Sequence, residues 1–184
     1  MTEIVELPDG RLASYHVAGK GIPALMFPEF TAASMRQHSA LFPYVLRSYV
    51  IDLPGLARHL AVRQASFYEL ARSSLGLGRV IVFGQSSGSA AALAYAAAYP
   101  QHTAACVIVA PTVQAWPLLR RISCRTLVIG GESGPIAGEI PGAEFVALPA
   151  MESPDGYRRS SWTSSAARSA STPARPFWAV PCRP

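Results

Sequence analysis

One five-residue segment of the chain has the residue types and spacing for nucleophilic chemistry: Gly84-Gln85-Ser86-Ser87-Gly88. A serine hydroxyl is a weak nucleophile until geometry and a neighbouring base activate it. In a Gly-x-Ser-x-Gly segment the small flanking residues let the backbone turn sharply from strand to helix, and the strained turn projects the hydroxyl. The next amide N–H, that of Ser87, then points from a helix N-terminus toward a developing oxyanion. Chance alone places this pattern in about one chain in ten of such composition. Here the apolar run Arg79-Val80-Ile81-Val82-Phe83 precedes it and the alanine-rich stretch Ser87–Tyr99 follows it. Ser86 is therefore the candidate nucleophile. The alternative is a small turn residue that fold geometry retains in a protein that no longer reacts.

Other chemistries find less support. Cys106, Cys124 and Cys182 form no CxxC pair, which argues against a disulfide framework or a zinc site. Gly84 and Gly88 faintly echo a dinucleotide loop, yet no acidic residue closes a ribose site and no Gly-Lys-Ser/Thr phosphate loop occurs. No cofactor and no metal is expected. The net charge of +5 comes from 16 Lys+Arg against 11 Asp+Glu, and the sole lysine is Lys20. No basic run is interleaved with aromatics, so no nucleic-acid partner is expected. The longest apolar stretch, Ala90 to Pro100, falls short of the roughly 20 residues that cross a bilayer, so no membrane partner is expected either. Glu3, Glu6 and Asp9 precede any hydrophobic run, which does not read as a secretory signal. The expected location is cytoplasmic.

The elements that must hold Ser86 alternate between β-branched runs and helix-like stretches. Ile4–Leu7 and Arg11–Val17 flank Pro8-Asp9-Gly10, a hairpin signal, and Ala24–Phe27 is a short strand after Gly19-Lys20-Gly21. Ala33–Ser48 has helical spacing, kinked or split by Pro43, and Tyr49–Leu53 reads as a strand. Residues 65–77 read as helix, 79–83 as a buried strand, and Cys106–Val109, Thr126–Ile129 and Glu144–Leu148 as further strands. Such near-continuous apolar strands alternating with helices predict an α/β fold, a mostly parallel sheet with helices on both faces. Val80–Phe83 is expected at its centre. Residues 1–150 form the expected domain. From Met151 on, Val180 is the only Val, Ile or Leu, so 151–184 is expected to be a disordered Ser/Pro/Arg-rich tail.

Several segments, in order, resemble the α/β-hydrolase superfamily over roughly residues 3–150. They are the Pro8-Asp9-Gly10 hairpin, Ala24–Phe27, the Asp52-Leu53-Pro54-Gly55 turn, Val80–Gly88 with its following helix, Arg121–Glu132, and Pro141–Pro149. The resemblance implies a serine hydrolase acting on a small ester, amide or related acyl substrate through an acyl-enzyme on Ser86. It also implies that the N–H groups of Phe30 and Ser87 hold the oxyanion. The departures are specific. Pro28-Glu29 stands where the family has His-Gly, and Glu132 is the one candidate for the orienting acid. No lid separates the sixth and seventh strands. The histidines are His16, His38, His59 and His102, so none follows the last strand, where the family places its base. His59, after the Asp-Leu-Pro-Gly turn, is the one candidate substitute, although a surface-loop residue is the favoured reading of it. The alternatives are a non-catalytic binding protein on the same fold, a decayed or frameshifted hydrolase, and an acyltransferase using the same elbow.

Overall fold

The computed structural model describes residues 2–27, 44–52, 60–112, 116–130 and 134–147. Its chain opens with a hairpin of β1 (Thr2–Glu6) and β2 (Leu12–Gly19). The hairpin turns at Gly10, whose φ of 80° suits a residue without a Cβ, and the Asp9 carboxylate accepts hydrogen bonds from Arg11. Six more strands follow: β3 (Ile22–Met26), β4 (Leu46–Ile51), β5 (Val80–Gln85), β6 (Thr103–Val109), β7 (Arg125–Ile129) and β8 (Glu144–Val146). They form one sheet in the order β1-β2-β4-β3-β5-β6-β7-β8. β1, β2 and β4 pair antiparallel, and every pair from β4 through β3 to β8 is parallel. β5 lies at the centre, between β3 and β6, as its apolar sequence predicts.

The order contains one reversal. From β3 the chain moves outward to β4, then returns to place β5 on the other side of β3. The crevice beyond the carboxyl ends of β3 and β5 is thus a topological switch point, the usual ligand position in open α/β sheets.

Two helices close one face of the sheet, α1 (Ala61–Ser74) and α2 (Gly88–Ala98). They pack with Leu25, Phe27, Val82, Cys106 and Ile108 in the main core. The short α3 (Gly134–Glu139) leads into Ile140, and Ile136, Ala137 and Ile140 join the same core. α2 is buried at every position from Gly88 to Ala97 except Ala90, as a helix apolar all round should be. Alternate strand residues make a second cluster on the opposite face: Ala24, Met26, Val50, Ile81 and Ala105. Helices on both faces were expected. The described helices lie on one, and most of the stretch read as helix over 33–48 is outside the described residues. Its end is corrected: residues 44 and 45 form a turn, and β4 already begins at Leu46, where the backbone pairs with Ile22. α1 also begins four residues before the expected 65 and ends at Ser74, because Gly76 adopts φ 62°. The parallel crossovers β6–β7 and β7–β8 form as expected, and their described residues hold a 3-10 turn, Pro117–Arg121, in the first and α3 in the second. Residues 151–184, and with them the expected disordered tail, lie outside the described residues.

Two tyrosines hold the helices, one to the sheet and one to each other. Tyr68 is fully buried with its ring stacked on Phe27, centroids 4.1 Å apart. Its hydroxyl donates to the Met26 carbonyl at 2.9 Å, with the Ile51 carbonyl at 3.3 Å, so one side chain ties the ends of β3 and β4. Burial pushes this phenol far above its ordinary titration range. Tyr68→Phe keeps the stack and removes the donor. It should cost about 1–2 kcal/mol, read as a lower urea midpoint at unchanged slope. An unchanged midpoint would show that the hydroxyl contributes nothing.

Tyr95 serves a second junction. Its hydroxyl donates to Glu69 Oε2 at 2.7 Å, and Arg72 grips both oxygens of the same carboxylate at 2.9 Å. His102 Nδ1, from the 3-10 turn Pro100–His102, lies 2.9 Å from Glu69 Oε1. Arg72 also donates to the carbonyls of Leu77 and Gly78. Burial disfavours the ionised Glu69, but hydrogen bonds from Arg72 and Tyr95 and the nearby positive charge outweigh it and hold this carboxyl below its ordinary value.

Candidate active site

Ser86 directly follows β5 and takes φ 50°, a left-handed conformation that side-chain-bearing residues rarely adopt. Such strain costs on the order of 1–3 kcal/mol and persists only where the surroundings over-determine it. Three contacts do so here. The Ser86 N–H donates to the Val109 carbonyl at the end of β6, 2.9 Å away. The Ser86 carbonyl accepts from the Ser89 N–H at 3.1 Å, which starts α2. Beneath the turn Gly84 meets the helix so closely that an added Cβ would lie 2.7 Å from Ala92 Cβ, 2.8 Å from Ser89 Cα and 2.9 Å from the Gly88 carbonyl oxygen. Glycine is the only residue that fits.

The Ser86 side chain is half-buried and Ser87 is exposed. Ser87 is the N-cap of α2 and makes no side-chain capping bond, and no acidic residue occupies the helix's first turn. The helix N-terminus therefore presents its partial positive charge beside Ser86 with no carboxylate in its own first turn to cancel it. Ser89 is fully buried, and its Oγ has no hydrogen-bond partner among the described residues. The next strand repeats the strain: Ala110, after β6, takes φ 44° while its N–H donates to the Ile129 carbonyl at 2.7 Å. The sequence gives no sign of this second strained turn beyond the small residue before Pro111.

The two described histidines stand away from the turn. His16 lies on β2, three strands from β5, which is about 14 Å at ordinary strand spacing. Its Nε2 is 3.9 Å from the Asp52 carboxylate, which accepts a hydrogen bond from Ser14. His102 precedes β6 at the sheet's opposite edge, against Glu69. Both are structural, in line with their sequence positions. Phe30, His38, His59 and Glu132 lie outside the described residues, so the structure brings together Ser86 and Ser87 alone among the expected site residues. Among the described residues no group of three or more His, Cys, Asp or Glu side chains could hold a metal. Cys106 is a buried small side chain in β6, its thiol pushed well up by burial. No described helix is long and apolar enough to cross a membrane.

A family model for the alpha/beta hydrolase fold matches residues 34–124, a span that includes the strained turn and its helix. Solved structures of that fold superpose over most of the chain. An alpha/beta hydrolase fold protein from Nakamurella multipartita gives a TM-score of 0.67 at 17% identity, covering 80% of this chain and 90% of that one. The chain has the α/β-hydrolase fold. Two further solved structures are comparably similar. A thermophilic esterase from Thermogutta terrifontis has TM-score 0.64 and 17% identity, covering 81% and 90% of the two chains. Naproxen esterase from Bacillus subtilis has TM-score 0.66 and 11% identity, covering 80% and 83%. At these identities the likeness is one of fold. Among curated proteins none matches the chain. Within this α/β-hydrolase fold, Ser86 stands on the strand-to-helix elbow at the switch point between β3 and β5.

Proposed function

We propose that the protein is a serine hydrolase acting on a small ester, amide or related acyl substrate through an acyl-enzyme on Ser86. The observation that carries this reading is the φ of 50° at Ser86, held between β5 and the uncapped N-terminus of α2 at the switch point of the sheet. Structural relatives named as esterases support it. In the first step Ser86 Oγ adds to the acyl carbon and its proton passes to a base. The N–H groups of Ser87 and Phe30 hold the oxyanion, and collapse of the adduct expels the alcohol or amine, which takes up the proton. Water then attacks the ester carbonyl and restores the serine. His59 is the candidate for the base and Glu132 for its orienting acid. In sequence they follow β4 and β7, each two strands from β5.

The absence of a histidine after the last strand predicts slow turnover. Removing the base of such a triad costs on the order of 10⁶ in turnover in the best-measured case. One oxyanion donor alone is worth about 2.7–4 kcal/mol, so reactivity toward activated acyl and phosphonyl groups survives. A fluorophosphonate probe should label the folded chain at Ser86 and leave Ser86→Ala unlabelled, with unactivated esters hydrolysed poorly. Absence of labelling in the wild type would replace this reading with a non-catalytic binding protein on the same fold. Loss of labelling in His59→Ala would identify the base.

A further inference from the structure

The edge of the sheet opposite Ser86 carries a second concave feature. Where β2 passes into β3, a surface cavity of about 470 Å³ is lined by Val17, Ala18, Gly19, Lys20, Gly21 and Arg47. Its size falls in the range of small-molecule pockets. Two cations and no carboxylate line it. Arg11, Arg72, Arg120 and Arg125 each sit on an acidic side chain, whereas Lys20 and Arg47 enter no ion pair among the described residues. Two like charges in one concavity repel, and an anion between them removes that cost.

The backbone shapes this cavity on purpose-built terms. Lys20 stands between two glycines of positive φ, Gly19 at 84° and Gly21 at 122°. Gly21 is pressed against the strand entering β4, since an added Cβ would strike the Val45 carbonyl, and the Ile22 N–H donates to that carbonyl at 3.0 Å. The lysine's loop is thereby fixed against the backbone that carries Arg47, which pairs in register with Gly19. The Arg47 guanidinium lies over the Tyr49 ring at 5.5 Å, which limits its freedom.

We propose that this cavity binds the phosphate group of a small phosphorylated molecule. The planar Arg47 fork suits two phosphate oxygens and the Lys20 ammonium a third as a point charge. The volume exceeds what a bare phosphate needs, and Val17 and Ala18 supply apolar wall for the organic part. The site is independent of Ser86: the cavity opens at the amino end of β3, and the five residues of that strand separate it by about 16 Å from the elbow edge.

Lys20 is the only lysine, so its acylation by an amine-reactive ester can be followed as one peptide by mass spectrometry in the full chain. Glycerol 3-phosphate should slow that acylation saturably, about tenfold, while sodium chloride at equal ionic strength does not. Inorganic phosphate should protect at higher concentration. In Arg47→Gln, and in Arg47→Lys should the first variant fold poorly, protection should weaken about tenfold with the melting temperature unchanged. Equal protection by chloride, or full protection in both Arg47 variants, would overturn the assignment. So would protection by phosphatidic acid vesicles where glycerol 3-phosphate gives none, which would make the site a membrane contact.

Discussion

Gly84→Ala is expected to destabilise the fold by about 2–3 kcal/mol and to abolish labelling of Ser86 well below the melting temperature. The added methyl meets two backbone atoms of the elbow and the Cβ of Ala92, none of which is the far end of a flexible side chain. The helix must lift from β5, and that shift moves the two groups the chemistry needs together, the Ser86 hydroxyl and the first amides of α2. In thermal unfolding the loss should appear as a fall of about 5–10 °C. Gly78→Ala is the matched control, since a Cβ there meets nothing within 4 Å and its φ is not positive. If the two variants unfold together, the close approach at Gly84 is not what holds the turn.

Glu69→Ala should cost about 3 kcal/mol at neutral pH, near 10 °C in melting temperature. The substitution leaves the Arg72 guanidinium, whose side chain is only 10% exposed, with two carbonyls and no counter-charge, and it strips the Tyr95 hydroxyl of its acceptor. The pH dependence has a definite sign. Because the folded carboxyl titrates below its ordinary value of 4.5, its contribution is complete above that value and disappears as the pH falls from there through the lower folded value. The gap in stability between wild type and Glu69→Ala should therefore be constant above this window and close on acidification. A gap that persists in acid would mean that packing, not charge, accounts for the junction.

The central strands β3, β5 and β6 were legible because most of their side chains are buried and so read as nearly unbroken apolar runs. Val80–Phe83 identified the centre of the sheet for that reason. The start of β4 was hidden because Val45 continues the helical spacing of Met35 and Leu41, and only the pairing of Leu46 with Ile22 decides for a strand. The start of α1 was hidden too: Leu60 makes no side-chain cap, and the helix buries Gln64 and Arg72 beside Phe67 and Tyr68, which blurs its apolar face. At the site, Gly84, Ser86 and Gly88 declared themselves by spacing, since the steric demand is local. The junction at Glu69 did not, although Glu69 and Arg72 stand at helical i,i+3 spacing. Its other members, Tyr95 and His102, join only through tertiary packing.

The alanine surface of α2 has a mechanical consequence. A helix with methyl groups on its buried flanks has few knobs to lock it against sliding, so its position along its own axis is set at its ends. At one end the Ser86 N–H is anchored to Val109. At the other, Tyr95 is anchored to Glu69, and the Tyr99 carbonyl accepts the Thr103 hydroxyl at 2.9 Å. The eleven residues of α2 behave as a smooth rod about 16 Å long, clamped toward both ends. The height of the Ser86 hydroxyl above the sheet is thus adjusted from the far clamp as well as from the near one.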